Sequence, residues 1–133
     1  MRKILAVWVA TCILGFVAAL SMAADGDKKD QPTKITGVLI DQACGAKMMD
    51  KDDPEKAAAS HPKSCAMKDA CAASGYAVIH GKEMIKLDDN GNKLAKEFLQ
   101  KTDKTNDLRV TVEGTRDGDK MAVTSLVAAS DSK

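Results

Sequence analysis

Leu108-Arg109-Val110-Thr111-Val112-Glu113-Gly114-Thr115-Arg116-Asp117-Gly118-Asp119-Lys120-Met121 alternates apolar and polar residues and then turns back on itself. Leu108, Val110 and Val112 share one face and Arg109, Thr111 and Glu113 the other, the period of two of a half-buried strand. Asp117-Gly118 is a strong hairpin signal, because glycine takes the positive φ that a tight turn needs. Residues 121–127 form the returning strand, and residues 129–133 trail off as a tail.

Upstream, Leu94, Ala95, Phe98 and Leu99 form one stripe, with Lys93, Lys96, Glu97 and Lys101 on the wet side. That spacing predicts a helix over residues 93–101. Residues 76–80 and 83–87 read as two strands joined at Gly81-Lys82, and Asp88-Asp89-Asn90-Gly91 reads as a turn into the helix. Residues 35–40 form a first strand that ends at Asp41, with Gly37 marking a bulge or a close backbone approach. The expected fold is mainly β (α+β): five short strands with a helix between the third and fourth. This is the element order of an OB-like Greek-key barrel. A Cys/His-rich helical insert follows the first strand, and the domain spans residues 34–128.

Within the insert, Asp53, Pro54 and Glu55 have the chemistry of a helix start, as N-cap, first helical residue and first-turn acid. Pro62 ends that helix near His61, since the residue before proline is pushed away from helical geometry. A second helix over residues 63–73 would end at Gly75 in a left-handed cap.

The chain has 133 residues, a net charge of +1 and four cysteines. Arg2 and Lys3 precede an apolar run over residues 4–20, and Ser21-Met22-Ala23 places small residues where a signal peptidase reads. Residues 1–23 are therefore expected to be a cleaved signal peptide, and residues 24–33, polar and without pattern, a flexible lead-in. Cleavage takes Lys plus Arg from 20 to 18 against 19 acids, a net charge of −1. It also removes Cys12 and leaves Tyr76 and Phe98 as the only aromatics. The expected location is periplasmic or secreted, with no stable membrane insertion after cleavage. Near-neutral charge gives no electrostatic case for nucleic acid, and two aromatics give no stacking surface for it.

The residues that carry chemistry are Cys44, His61, Cys65 and Cys71. They have two readings. An exported small domain usually oxidises its cysteines, and a disulfide from Cys44 to Cys65 or Cys71 would staple the insert. Cys65 and Cys71 would be about 9 Å apart in rise on one continuous helix, too far for a disulfide. Alternatively the four residues form a Cys₃His set for a zinc or copper ion. The C-x5-C spacing lies outside the usual range for structural zinc, and one helix would strain an ion shared by Cys65 and Cys71. Met48, Met49 and Met67 add thioethers suited to copper(I), although methionines near a short helix usually fill a core. A Cys65–His61 nucleophile pair lacks an orienting third group. No C-x-x-C or C-x-x-C-H occurs, so neither a thioredoxin-like site nor covalent haem is supported.

T-G-V-L-I-D-Q-A-C, H-P-K-S-C-A-M-K-D-A-C-A-A-S-G-Y-A-V, K-L-D-D-N-G-N and L-R-V-T-V-E-G-T-R-D-G-D-K-M-A-V-T-S-L resemble a family of small exported bacterial proteins of unknown function. The resemblance covers residues 35–127. It implies an OB-like barrel and a Cys…H-x3-C-x5-C insert shared across the family, and it supplies no reaction. The expectation is a non-enzymatic binding or envelope-associated module, with an envelope protein as candidate partner. The alternative is a periplasmic metal-handling or thiol-redox protein.

Overall fold

The computed structural model describes residues 32–130. The expected signal peptide over residues 1–23 lies outside the described residues, as do residues 24–31 of the expected lead-in and the last three residues of the tail. No helix among the described residues is long and apolar enough to cross a membrane.

Five strands form one mixed sheet: β1 (Pro32–Asp41), β2 (Tyr76–His80), β3 (Glu83–Leu87), β4 (Arg109–Asp117) and β5 (Lys120–Ala128). Their spatial order is β1-β2-β3-β5-β4, and β1 pairs with both β2 and β4, so the sheet closes in a ring. All pairings are antiparallel except β3 with β5, which run parallel over a short stretch at Lys86–Lys120 and Leu87–Met121. The β4–β5 hairpin turns at Gly118, whose φ is +61°, as its Asp-Gly sequence requires. Its register shifts between Glu113 and Gly114, a bulge that leaves Gly114 with no room for a Cβ beside the Ala122 carbonyl.

β1 starts earlier than expected, because β4 is long enough to pair Pro32 and Thr33 with Thr115 and Gly114. The last two residues of the expected lead-in are therefore strand. Gly37 is a close approach: a Cβ there would collide with the Ile79 carbonyl and the Val78 side chain.

β1 is buried on both sides over its second half. Ile35 and Leu39 join Val78, Ile85, Val110, Val112, Met121 and Val123 in the main core. Val38 and Ile40, at the alternate positions, pack with Ile79 and Ala58 in a second cluster beneath the insert. By the same alternation Asp41 falls on the Leu39 side, at the end of the strand.

The insert holds four short helices: α1 (Gln42–Met48), α2 (Pro54–Ala59), α3 (Lys63–Ala66) and α4 (Asp69–Ala73). The start of α2 is as expected, with Asp53 accepting the Lys56 N–H at 3.1 Å. The single helix expected over residues 63–73 is instead two. Lys68 is extended, with φ −64° and ψ 142°, and breaks the chain between α3 and α4. Gly75 then takes φ +83° as the expected left-handed cap. α5 (Asp89–Lys101) begins earlier than its apolar stripe suggests. Asp88 Oδ1 accepts both the Gly91 N–H at 2.8 Å and the Val123 N–H at 3.1 Å. The expected turn is thus the first turn of a helix, tied to β5. Ala95 and Leu99 of α5 are buried, and Leu94 and Phe98 pack beside them.

Candidate metal centre

The side chains expected to carry chemistry meet where β1 runs into the insert. Cys44 sits in the first turn of α1, which Asp41 caps: Asp41 Oδ1 accepts the Cys44 N–H at 2.9 Å. Gly45, the next residue, is buried, and a Cβ there would lie 2.9 Å from Met84 Sδ. Glycine thus lets α1 lie close against β3. Cys65 lies in α3, Cys71 in α4 and His61 just after α2, where its N–H is held by the Ala58 carbonyl at 2.9 Å.

The break at Lys68 removes the objection that one helix raises against Cys65 and Cys71 acting together. The two cysteines stand on separate helices, and the sulfurs of Cys44, Cys65 and Cys71 all lie within 4.8 Å of one another. All three cysteines are free and partly buried. The Tyr76 hydroxyl donates to the Ala66 carbonyl at 3.1 Å and anchors α3 to β2. The Ser74 hydroxyl donates to the Cys71 carbonyl at 2.6 Å at the end of α4.

His61 belongs to a second group, with Asp41 and Cys44, whose ligand atoms likewise lie within 4.8 Å of one another. The two groups share Cys44. His61 Nε2 is 3.7 Å from Asp41 Oδ2, too far for a hydrogen bond. Asp41 is fully buried and His61 is 8% exposed, yet Asp41 Oδ2 and both His61 ring nitrogens have no hydrogen-bond partner. Buried polar atoms are normally paired, by protein groups, ordered water or an ion, so these three stand out among the described residues. Asp41 was absent from the sequence-derived set. Its signal was an aspartate between strand and helix, legible only once α1 is recognised.

Burial pushes the Cys44 thiol up to about 12, with the Asp41 carboxylate and the two neighbouring cysteines adding to the effect. Cys71 is also raised, by desolvation first and then by Asp41. Burial lowers the His61 pKa against the pull of Asp41, which favours the neutral imidazole that a metal requires.

The methionines divide. Met48 and Met49 pack on the cluster around Val38, Ile40, Ala58 and Ile79, whereas Met67 is exposed at the break between α3 and α4. His80 is exposed at the end of β2, with Nδ1 2.7 Å from the Thr36 carbonyl. A separate cleft of about 700 Å³ lies between β3 and the β4–β5 turn, with Lys86, Asp88, Asp117 and Lys120 on its walls. Lys86 is paired there with Asp119 at 2.8 Å.

Neither family models, nor curated proteins, nor solved structures give a match to this chain.

Proposed function

We propose that this chain is an exported, non-enzymatic binding module whose Cys/His insert holds a soft or borderline metal ion, zinc or copper(I), on an OB-like Greek-key barrel. One observation carries the reading: three free cysteine sulfurs from three helices converge within 4.8 Å. With zinc–sulfur bonds of about 2.3 Å, two sulfurs on one ion lie at most about 4.6 Å apart, so only small side-chain adjustments would seat it. Thiolates are the preferred donors of both ions. The order β1-β2-β3-β5-β4, with β1 closing on β4, supports the OB-like reading. The apolar run and small-residue exit of residues 1–23 support export to the periplasm or beyond, where an envelope protein is the candidate partner.

The Asp41, Cys44 and His61 group also has the composition of a nucleophile triad, although its cysteine is Cys44 and not the Cys65 expected to pair with His61. Its electrostatics oppose that role. A catalytic cysteine needs a lowered thiol pKa, whereas burial pushes Cys44 up to about 12. A metal ion overcomes that barrier by replacing the proton.

Titration of the reduced protein with zinc, followed by native mass spectrometry, tests the proposal. A zinc adduct that weakens at least tenfold in Cys65→Ser and in Cys71→Ser is expected. A protein two hydrogens light, metal-free and with one alkylatable thiol among Cys44, Cys65 and Cys71 would refute it in favour of the disulfide staple.

A further inference from the structure

Building on the metal-binding reading, we infer that the site is binuclear: Cys44 bridges two divalent ions, one held with Cys65 and Cys71 and the other with Asp41 and His61. The geometry separates the donors into two triads with one member in common, and His61 groups with Asp41 and Cys44 rather than with Cys65 and Cys71. An ion seated among the three sulfurs leaves the Asp41–His61 side unused. Asp41 Oδ2 and both His61 nitrogens would then stay buried without hydrogen-bond partners, whereas a second ion would take Asp41 Oδ2 and one of the two nitrogens.

Charge points the same way. With their protons displaced by metal, the three cysteines and the Asp41 carboxylate would carry four negative charges. One divalent ion would leave two of those charges uncompensated beside the buried Asp41, whereas two divalent ions balance all four. A thiolate has several lone pairs and can serve both ions. Cys44 is the residue in that position, set by its N–H bond to Asp41 Oδ1. On binding, each thiol S–H bond breaks, the proton leaves to solvent and the sulfur keeps the electron pair that it shares with the metal. No oxidant or reductant takes part. Each ion would then have three protein donors. The donor chemistry differs between the halves: sulfur alone on one side, and one oxygen, one nitrogen and one sulfur on the other. The second half suits zinc better than copper(I).

The test is the zinc stoichiometry of the reduced, metal-free protein by native mass spectrometry, with zinc chloride as the probe. Wild type should saturate at two zinc ions, and His61→Ala and His61→Gln at one. Zinc-edge X-ray absorption on doubly loaded wild type should show a metal neighbour at about 3.5–4 Å. This measurement needs no variant and holds even if the His61 substitutions fail to fold. Saturation of wild type at one ion, unchanged in His61→Gln, would overturn the inference and leave the three-sulfur site standing, with only water on the Asp41–His61 pair. A single ion lost in His61→Gln would also overturn it, in favour of one shell drawn from both triads. No zinc at all would refute the metal-binding proposal itself.

Discussion

Zinc binding should be steeply pH-dependent, and the structure gives the slope. With the Cys44 thiol pushed up to about 12, about one molecule in 10⁵ carries the thiolate at pH 7. Cys71 is raised as well. Each proton displaced makes the apparent affinity rise tenfold per pH unit. At least two thiol protons must leave for the three-sulfur ion, so its affinity should rise at least about 100-fold per unit between about pH 6 and 8. Burial lowers the His61 pKa, which reduces its share of the proton competition. The sign follows from competition: metal and proton contend for the same sulfur lone pairs, so acid releases the ion. Competition with a chelator of known pH dependence gives the affinity at each pH, and calorimetry in buffers of different ionisation enthalpy counts the protons. A slope of tenfold per unit or less, or no proton release, would refute the reasoning. It would mean that the thiols are already ionised or do not hold the metal.

Asp41→Asn should speed alkylation of Cys44 in the metal-free protein, because the carboxylate is the second contributor to its raised pKa, while asparagine still caps α1; an unchanged rate near neutral pH would count against that electrostatic account. Gly37→Ala should destabilise the domain by about 1–3 kcal/mol, since its Cβ meets the Ile79 backbone; thermal melting should show a loss of at least about 4 °C, and an unchanged melting temperature would show that β2 gives way freely. Glu55 is shielded from water, which favours its neutral form, but the Gly81 N–H and the Arg109 guanidinium at 2.6 Å outweigh this and hold its pKa below the usual glutamate range. Its contribution to stability is therefore present above about pH 4.3 and lost as the pH falls through the lowered value. Glu55→Gln should flatten the acid limb of a denaturant-midpoint profile, and parallel wild-type and variant limbs would contradict this.

The strands were legible because a half-buried strand writes its geometry into alternate residues, as Leu108, Val110 and Val112 do. Where burial is two-sided, as at Val38–Asp41, the alternation disappears but the apolar run remains, and that run still marked β1. The helices were legible only where a cap or a stripe was strong. Asp53-Pro54 marked α2, and Leu94, Ala95, Phe98 and Leu99 marked α5. The first turn of α5 was hidden because Asp88-Asp89-Asn90-Gly91 has turn chemistry, and the interaction that makes it helical is a long-range bond from Asp88 to β5. α1 was missed altogether. Gly45 at its centre lowers helix propensity, and the reason for a glycine there is the approach to Met84, a contact that periodicity cannot show. The same limit applied to the site. Its cysteines and His61 stood out by residue type, whereas Asp41 looked like the end of a strand.

The break at Lys68 links the fold to the candidate site. A continuous helix would carry Cys65 and Cys71 past one another, whereas an extended residue between two short helices turns both sulfurs toward Cys44. The four helices of the insert have 7, 6, 4 and 5 residues, all well below the length at which a helix holds by itself in water. Their support comes from elsewhere. α2 is tied to the ring by Glu55–Arg109 and by Ala58 in the second cluster. α1 is tied by the Asp41 cap and by Cys44 and Met48 on that cluster. α3 is tied by Ala66 in the main core, by the Tyr76 bond and by Lys63, whose N–H donates to the Thr105 carbonyl and whose Nζ donates to the Thr102 carbonyl, each at 2.7 Å. α4 has no fully buried residue, and its Ala72 packs against the main core. These are the two helices that contribute Cys65 and Cys71. On the proposed reading, an ion joining Cys65 and Cys71 to Cys44 would cross-link α1, α3 and α4, so that metal binding and the stability of the insert would be linked.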